Sequence, residues 1–378
     1  MKFAHIADLH LGKRVHNFSM LEEQKYILKE MLEIFRKEQI DGVLIAGDVY
    51  DKTVPCAEAV QLFDSFLTSL AKEKISVYMI SGNHDCAQRL SFGASLLINS
   101  DVYITKAYDG NIRKITAEDR FGRIHIYLLP FIKPAQVRYA LQTEEIATSQ
   151  EAVKAVLKEI QTEEKERNIL VAHQFVTGAL KSDSEEVFVG GTDQVDGALF
   201  DRFDYVAMGH IHRAQKVGRE TLRYSGTPMK YSFSEADQKK SVTIVECLEK
   251  GNIQIHTVPL LPKHDMRKIK GTYMEVTSAK AYTQENRKDY IQVTLTEEED
   301  IPQAMEKLRC VYPNLMRLEY DNKRTRQNQQ IQTVQQQENK SELELFEEFY
   351  KLVNNETMRA EQEAFCEKLI RKLKEEGI

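Results

Sequence analysis

Five short apolar runs, each cut off by a polar cluster, constrain this chain more than any other feature. They are residues 3–7 before Asp8, 43–46 before Gly47 and Asp48, 77–80 before the polar run 81–85, 169–172 before His173, and 205–208 before Gly209 and His210. Continuous apolar runs bounded by turn residues are the pattern of strands buried on both faces. Between the first three, apolar residues recur at helical spacing: Leu21, Ile27, Leu28, Met31, Leu32 and Phe35, then Ala59, Leu62, Phe63, Phe66 and Leu70. Strand alternating with helix predicts an α/β fold with a largely parallel or mixed sheet and helices on its faces. In such sheets ligands gather beyond the carboxyl ends of the strands, which is where every one of these polar clusters sits.

Further strands at 124–129, 242–247 and 253–258 complete a two-layered mixed β-sheet core flanked by helices, a domain of residues 1–262. Residues 263–321 read as a small α/β capping domain, with strands at 273–276, 290–295 and 315–320 and a short helix at 302–310. Residues 322–340 are rich in Gln and Asn, carry Lys323, Arg324 and Arg326, and have almost nothing apolar to bury, so they read as a linker. Ser341 followed by Glu344 is a capping-box pattern, after which Leu345, Phe346, Phe349, Leu352 and Val353 recur at helical spacing. A second helix is expected to carry Met358, Phe365, Leu369, Ile370 and Leu373. Two short amphipathic helices beyond a flexible linker bury little surface alone. Residues 341–378 therefore read as a helical segment that docks on a partner, or else folds back on the parent domain.

At 378 residues the chain has room for one large domain and one or two smaller units. Its five cysteines, Cys56, Cys86, Cys247, Cys310 and Cys366, are scattered and never form CxxC, which argues against a disulfide framework or a zinc ribbon and fits a reducing cytoplasm. Asp8 and His10 follow the first strand so closely that no signal-peptide apolar region fits, and no apolar run reaches the roughly 18 residues of a membrane span. A soluble cytoplasmic protein is expected, with no membrane partner. The formal net charge of −6 gives no global footprint for nucleic acid, so any DNA contact must be local.

The polar clusters carry the chemistry. Asp8 and His10 stand two residues apart and point the same way if the backbone there is extended. GDVYD brings Asp48 after a glycine that lets the chain turn sharply, GNHD brings Asn83, His84 and Asp85, AHQ brings His173, and GHIH brings His210 and His212. A single His at a strand end is usually a satisfied core or surface residue, and Asp48 alone would serve equally as a turn residue or helix cap. Five strand ends all delivering Asp, His or Asn are not explained that way. Asp8, His10, Asp48, Asn83, His173, His210 and His212 read as metal ligands. Oxygen and imidazole without thiolate favour manganese, while ligand type alone also allows iron, zinc or magnesium. Seven ligands suit two divalent ions sharing a bridge. Two ions roughly 4 Å apart activate water and neutralise charge developing at phosphorus, so phosphate-ester hydrolysis is the chemistry expected.

The ordered set DLHLGKR, GDVYD, SGNHD, AHQF, MGHIH and SGTPMKYSFSE resembles the calcineurin-like metallophosphoesterases, and within them the nuclease subunits of bacterial SbcCD complexes. The likeness runs over essentially the whole chain, and LGKR and GTPMKYSFSE are the parts that point to the nuclease branch. It implies one ion on Asp8, His10 and His212, another on Asn83, His173 and His210, and Asp48 as the bridge. It also implies that His84 gives a proton to the leaving oxygen while Asp85 orients it, unless Asp85 only caps the following helix. Asp51 would stand behind the ligands. Family members are manganese-dependent exonucleases on double-stranded DNA ends and endonucleases on hairpins and blocked ends, stimulated by ATP through an SbcC-like SMC-type ATPase. They work as a homodimer within a heterotetramer. By the same likeness the helical tail would meet the ATPase through Leu345, Phe346, Phe349 and Leu352. Lys13, Arg14 and Arg89 lie beside ligand loops, where they either contact DNA phosphates or are merely solvated. A phosphoesterase for small molecules or phosphoproteins would share the ligands but not need the extra domain and tail. A non-catalytic scaffold would lack several ligands, and none is missing.

Overall fold

The apolar runs form strands because their Val, Ile, Leu and Tyr side chains suit a pleated surface covered on both sides. The computed structural model describes residues 1–185, 193–283, 286–323, 325–326, 343, 346–347, 350 and 358–376. The chain falls into two compact units, Met1–Thr294 with Gln303–Glu319, and Leu295–Pro302 with Tyr320–Ile378. In the first unit the strands are, in chain order, β1 (Lys2–Ile6), β2 (Gly42–Ala46), β3 (Ser76–Ile80), β4 (Val102–Ile104), β5 (Arg113–Asp119), β6 (Gly122–Leu129), β7 (Arg167–His173), β8 (Tyr205–Gly209), β9 (Gln215–Val217), β10 (Arg219–Tyr224), β11 (Ser241–Cys247) and β12 (Ile253–Pro259). They make two six-stranded sheets, ordered β12-β11-β1-β2-β3-β4 and β9-β10-β8-β7-β6-β5. The pairs β12–β11, β11–β1, β9–β10 and β5–β6 are antiparallel and the remaining pairs parallel, so both sheets are mixed, as expected.

The sheets face each other. Phe3, Leu44, Tyr78, Ile126, Leu128, Ile169, Val171 and Tyr205 fill the layer between them. Helices α1 (Leu21–Glu38) and α2 (Ala57–Lys72) cover the other face of the first sheet, packing Ile27, Met31, Phe35, Phe63 and Phe66 with Ile45 and Val77. Helices α3 (Pro134–Leu141) and α4 (Ser149–Lys158) do the same for the second, bringing Val137, Val153 and Val156 to Leu170 and Val206. All five residues of β2 are therefore buried, which is why the inner runs lack a period of two. His5 is a polar side chain that crosses the central layer. His5 donates through Nε2 to the Met208 carbonyl at 3.1 Å, which leaves Nδ1 to accept from the Tyr205 hydroxyl at 2.9 Å. Burial lowers its pKa to about 3, so it stays neutral and satisfied.

Past β12, β13 (Met266–Gly271), β14 (Tyr290–Leu295) and β15 (Leu315–Tyr320) form a three-stranded sheet, with a helix at Ala304–Val311. The strand expected at 273–276 is instead the short helix Tyr273–Thr277. Its capping box decides the matter: Thr272 accepts from the Glu275 backbone, and Glu275 reaches back to the Thr272 backbone. His264 and Tyr290 close onto Glu23 of α1, with His264 Nδ1 at 2.6 Å from the carboxylate. In the second unit, the linker expected from Asn322 begins as a capped helical turn, in which Asn322 Oδ1 accepts from the Thr325 backbone at 3.0 Å. The last helix is Ala360–Glu376, so Met358 lies just ahead of it rather than within it. Leu345, Phe349, Leu352 and the Ser341 capping box lie outside the described residues, and Phe346 is 42 % exposed. No described helix is long and apolar enough to cross a membrane.

Leu128, fully buried between the sheets, tests this packing. Leu128→Ala should lose about 2–5 kcal/mol of unfolding free energy in a urea titration. A loss below about 1 kcal/mol would mean that the two sheets do not close on each other there.

Candidate metal centre

The carboxyl ends of β1, β2, β3, β7 and β8 meet along one rim of the sandwich, and the expected ligands leave them there. The pairing of β1 with β2 and of β2 with β3 sets Asp8, Asp48 and Asn83 side by side, while β7 and β8 bring His173 and His210 from the opposite sheet. The backbone at these ends is not extended. Asp8, His10, Asp48 and His210 have φ of 54°, 44°, 50° and 99°, in the left-handed region that costs on the order of 1–3 kcal/mol for residues other than glycine. The extended backbone that would point Asp8 and His10 the same way is therefore absent, yet their donor atoms still meet in one group, while His210 and His212 diverge. His210 turns its Nδ1 to Asn83 at 2.9 Å, whereas His212 turns its Nε2 to His10 at 3.1 Å.

Three overlapping groups bring their donor atoms within 4.8 Å of one another: Asp8, His10 and His212; Asp8, Asp48 and His173; and His10, Asp48 and His84. Asp48 belongs to two of them, its Oδ2 lying 3.7 Å from His10 Nε2 and 3.4 Å from His173 Nε2. His173 shows what the centre is suited to hold. Its Nδ1 donates to the Ala46 carbonyl at 2.8 Å, so a neutral ring presents a bare lone pair at Nε2. That lone pair faces Asn83 Oδ1 at 2.9 Å and Asp48 Oδ2, both of them acceptors. Acceptors aimed at each other in a buried pocket need a cation or a proton between them. The donor set of carboxylate, amide oxygen and imidazole, shared by adjoining groups, fits divalent metal ions.

The electrostatics agree. Burial raises Asp8 to about 7 against the pull of His173 and His212. Burial works upward on Asp48 too, but His173, His10 and His84 hold it below the carboxylate range. His173 rises to about 9 because Asp48 and Asp8 outweigh its burial, while His210 falls to about 3 through burial and the neighbouring His173. This is the pattern of a proton caught among acceptors, the place that a metal ion takes over when it binds.

The residues behind the ligands were only partly foreseen. Asp85 does not touch His84. Its carboxylate accepts from the backbones of Val49 at 3.1 Å, Tyr50 at 2.9 Å and Gly82 at 2.9 Å, tying two ligand loops together, and it caps no helix. His84 is set instead by donating Nδ1 to the Asp51 carbonyl at 3.0 Å and its backbone N–H to Asp48 Oδ1 at 2.9 Å. Lys13 is engaged by Asp51 at 2.8 Å, while Arg14 and Arg89 lie exposed. Two residues not singled out hold the first ligand loop. Gln24 donates to the His10 carbonyl at 2.7 Å and to the Tyr231 hydroxyl at 2.9 Å, and Tyr231 donates to the Leu9 carbonyl. Gln24 had a signal, since it stands on the buried stripe of α1 with Ile27, Leu28 and Met31. Phe131, stacked on His210 at 6.4 Å between centroids, walls the other side.

Comparison with known proteins now bears on this geometry. Residues 1–214 match the calcineurin-like phosphoesterase family, and residues 262–354 match the family described as the type 5 capsule protein repressor C-terminal domain. The SbcD chain of the nuclease SbcCD from Staphylococcus epidermidis is 33 % identical over 322 residues, covering 84 % of this chain and 85 % of that one. Its counterpart in Staphylococcus saprophyticus is 31 % identical over 386 residues, spanning all of both chains. The chain belongs to the SbcD family of calcineurin-like phosphoesterases. Among solved structures, a dimetal phosphatase from Danio rerio overlaps with a TM-score of 0.42 at 13 % identity, over 69 % of this chain and 98 % of that one, too loosely to add weight. Membership makes the chain a hydrolase of phosphate esters and gives the rim its meaning.

Gly209 is the tightest point of the rim, since a Cβ there would collide with the Ala46 carbonyl that anchors His173. Gly209→Ala should therefore lower stability by about 3 kcal/mol or more and weaken divalent-metal uptake together. An unchanged melting temperature would show that the two strand ends are not in contact.

Proposed function

We propose that this chain is the nuclease component of an SbcCD-type complex. It cleaves double-stranded DNA ends as an exonuclease and hairpins or blocked ends as an endonuclease, using two Mn²⁺ ions. The observation that carries this reading is the convergence of acceptor atoms from both sheets on one rim, in a chain of this family. Asp8, His10 and His212 would hold one ion, Asn83, His173 and His210 the other, with Asp48 shared. Bound there, the ions supply a nucleophile from water and neutralise charge at phosphorus. The chain's own residues orient and protonate. His84, with Nδ1 committed to Asp51, keeps Nε2 to hold a proton and pass it to the leaving oxygen. Asp85 supports that step by fixing the loops that carry Asp48 and Asn83.

Residues 263–321 serve in this reading as the capping, DNA-recognition domain, and Arg14 and Arg89, exposed near the rim, as local phosphate contacts. Residues 322–340 act as a tether. Residues 341–378 dock on an SbcC-like SMC-type ATPase, with Leu345, Phe346, Phe349 and Leu352 as anchors. The assembly is a cytoplasmic heterotetramer built on a homodimer of this chain, gated by ATP.

Cleavage of hairpin DNA with Mn²⁺, run beside a generic phosphodiester, tests the activity. His173→Ala should abolish hydrolysis with the fold intact, and activity at the wild-type level would sink the ligand assignment. His84→Ala should keep both metals and lose a factor on the order of 100–10,000 in rate. Loss of bound metal in that variant would make His84 a ligand, as its place beside His10 and Asp48 permits.

A further inference from the structure

The GTPMKYSFSE segment pointed to the nuclease branch without receiving a task in the chemistry. Its last residue, Glu235, is fully buried, and so nearly is Lys240 just beyond it. A buried carboxylate and ammonium are costly to desolvate and are retained where they hold something in place. Here both converge on His212.

Every polar group of His212 that points away from the rim has a partner. The backbone N–H donates to Glu185 Oε1 at 2.7 Å. The carbonyl accepts from Lys240 Nζ at 2.9 Å and from the Thr227 backbone at 3.1 Å. Nδ1 lies 2.6 Å from the Ser184 hydroxyl. That hydroxyl in turn donates to Glu235 Oε1 at 2.6 Å. A serine hydroxyl has a single proton, and a carboxylate can only accept. Because that proton goes to Glu235, Ser184 must accept from His212, and the imidazole carries its hydrogen on Nδ1. Nε2 is left as a bare lone pair aimed into the group it shares with Asp8 and His10. Lys240 keeps this chain directed, since its three protons are shared among Glu235, Thr227 Oγ1 at 2.8 Å, Gln238 Oε1 at 2.9 Å and the His212 carbonyl.

We propose that Ser184 and Glu235 are positioning residues for His212, a relay that fixes its tautomer and ring orientation so that Nε2 meets the metal. Carboxylates and hydroxyls behind a ligating imidazole act in this way in general, raising the basicity of the metal-facing nitrogen. The buried Lys240–Glu235 pair is the anchor of the relay. Ser184 holds the ring of His212 and Glu185 its backbone N–H, so ring and backbone are gripped together. The proposal rests on the two-metal reading above and deepens it.

Mn²⁺ titration by calorimetry on the full chain tests it, comparing wild type with Ser184→Ala, Ser184→Thr and Glu235→Gln. Wild type should take up two ions. Ser184→Ala and Glu235→Gln should each weaken one of the two by about 10- to 100-fold, and Ser184→Thr, which keeps the hydroxyl, should restore it. In parallel, ¹⁵N spectra of histidine-labelled protein before Mn²⁺ is added should show His212 as the Nδ1–H tautomer in wild type and as a mixture in Ser184→Ala. Wild-type affinity with an unchanged tautomer in Ser184→Ala overturns the relay, as does a failure of Ser184→Thr to restore binding. If Glu235→Gln unfolds, Ser184→Ala still decides, because it leaves the Lys240–Glu235 pair whole. A wild-type chain that binds no Mn²⁺ overturns the two-metal reading itself, so the two failures are told apart.

Discussion

The structure turns on proton-accepting atoms gathered in one buried pocket. At the rim, Nε2 of His173 looks at two acceptor oxygens, and Nε2 of His10 and His212 stand 3.1 Å apart. In water such atoms would turn to solvent, but here they are buried, and His173 is already committed at its other nitrogen. The acceptors hold together only around shared protons, hydrogen bonds at the periphery keep them in place, and a cation can take the protons' place. Positive φ at Asp8, His10, Asp48 and His210 belongs to the same balance, because strain of this kind persists only where the surroundings over-determine it.

The surroundings are the two sheets. Neither alone carries enough of the site, since Asp8, Asp48 and Asn83 follow strands of one, while His173 ends and His210 follows strands of the other. The contacts that anchor ligands also cross between sheets: His173 to the Ala46 carbonyl, and the His210 backbone to Asp8 Oδ1 at 2.9 Å. Sandwich packing and site geometry are thus one property. The apolar layer of Leu44, Ile126, Leu128, Ile169 and Val171 holds the rims in register, and the rim contacts in turn fix where one sheet stops against the other.

What the sequence disclosed follows from which forces are local. The inner strands were legible because burial on both faces leaves a continuous apolar run, and their ends because a polar cluster must follow. Helices α1 and α2 were legible from their spacing. The Tyr273–Thr277 helix was misread because aromatic and β-branched residues suggested a strand, although Thr272 and Glu275 carried a capping box. Partnerships across long separations left no local trace. Gln24 meets Tyr231 across 207 residues, and no pattern near Asp85 says that its carboxylate serves the Val49, Tyr50 and Gly82 backbones instead of the adjacent His84. The directions of His210 and His212 were likewise hidden, because they depend on a φ of 99° at His210 that spacing alone does not reveal.

The supports behind the ligands differ in kind, and the difference follows from where each ligand sits. His173 lies on the last residue of a central strand, so a backbone carbonyl of the facing sheet is within reach and suffices. His212 lies beyond the end of its strand, and its ring is anchored by a side chain, the Ser184 hydroxyl, in place of a backbone carbonyl. Side chains are mobile unless fixed, and the buried carboxylate of Glu235 is fixed by hydroxyls and by a cation rather than by backbone N–H groups of the kind that hold Asp85. Lys240 supplies that charge and at the same time grips the His212 carbonyl. The cost of desolvating two ions away from the reacting centre is thus a consequence of placing a ligand where the sheet has already ended.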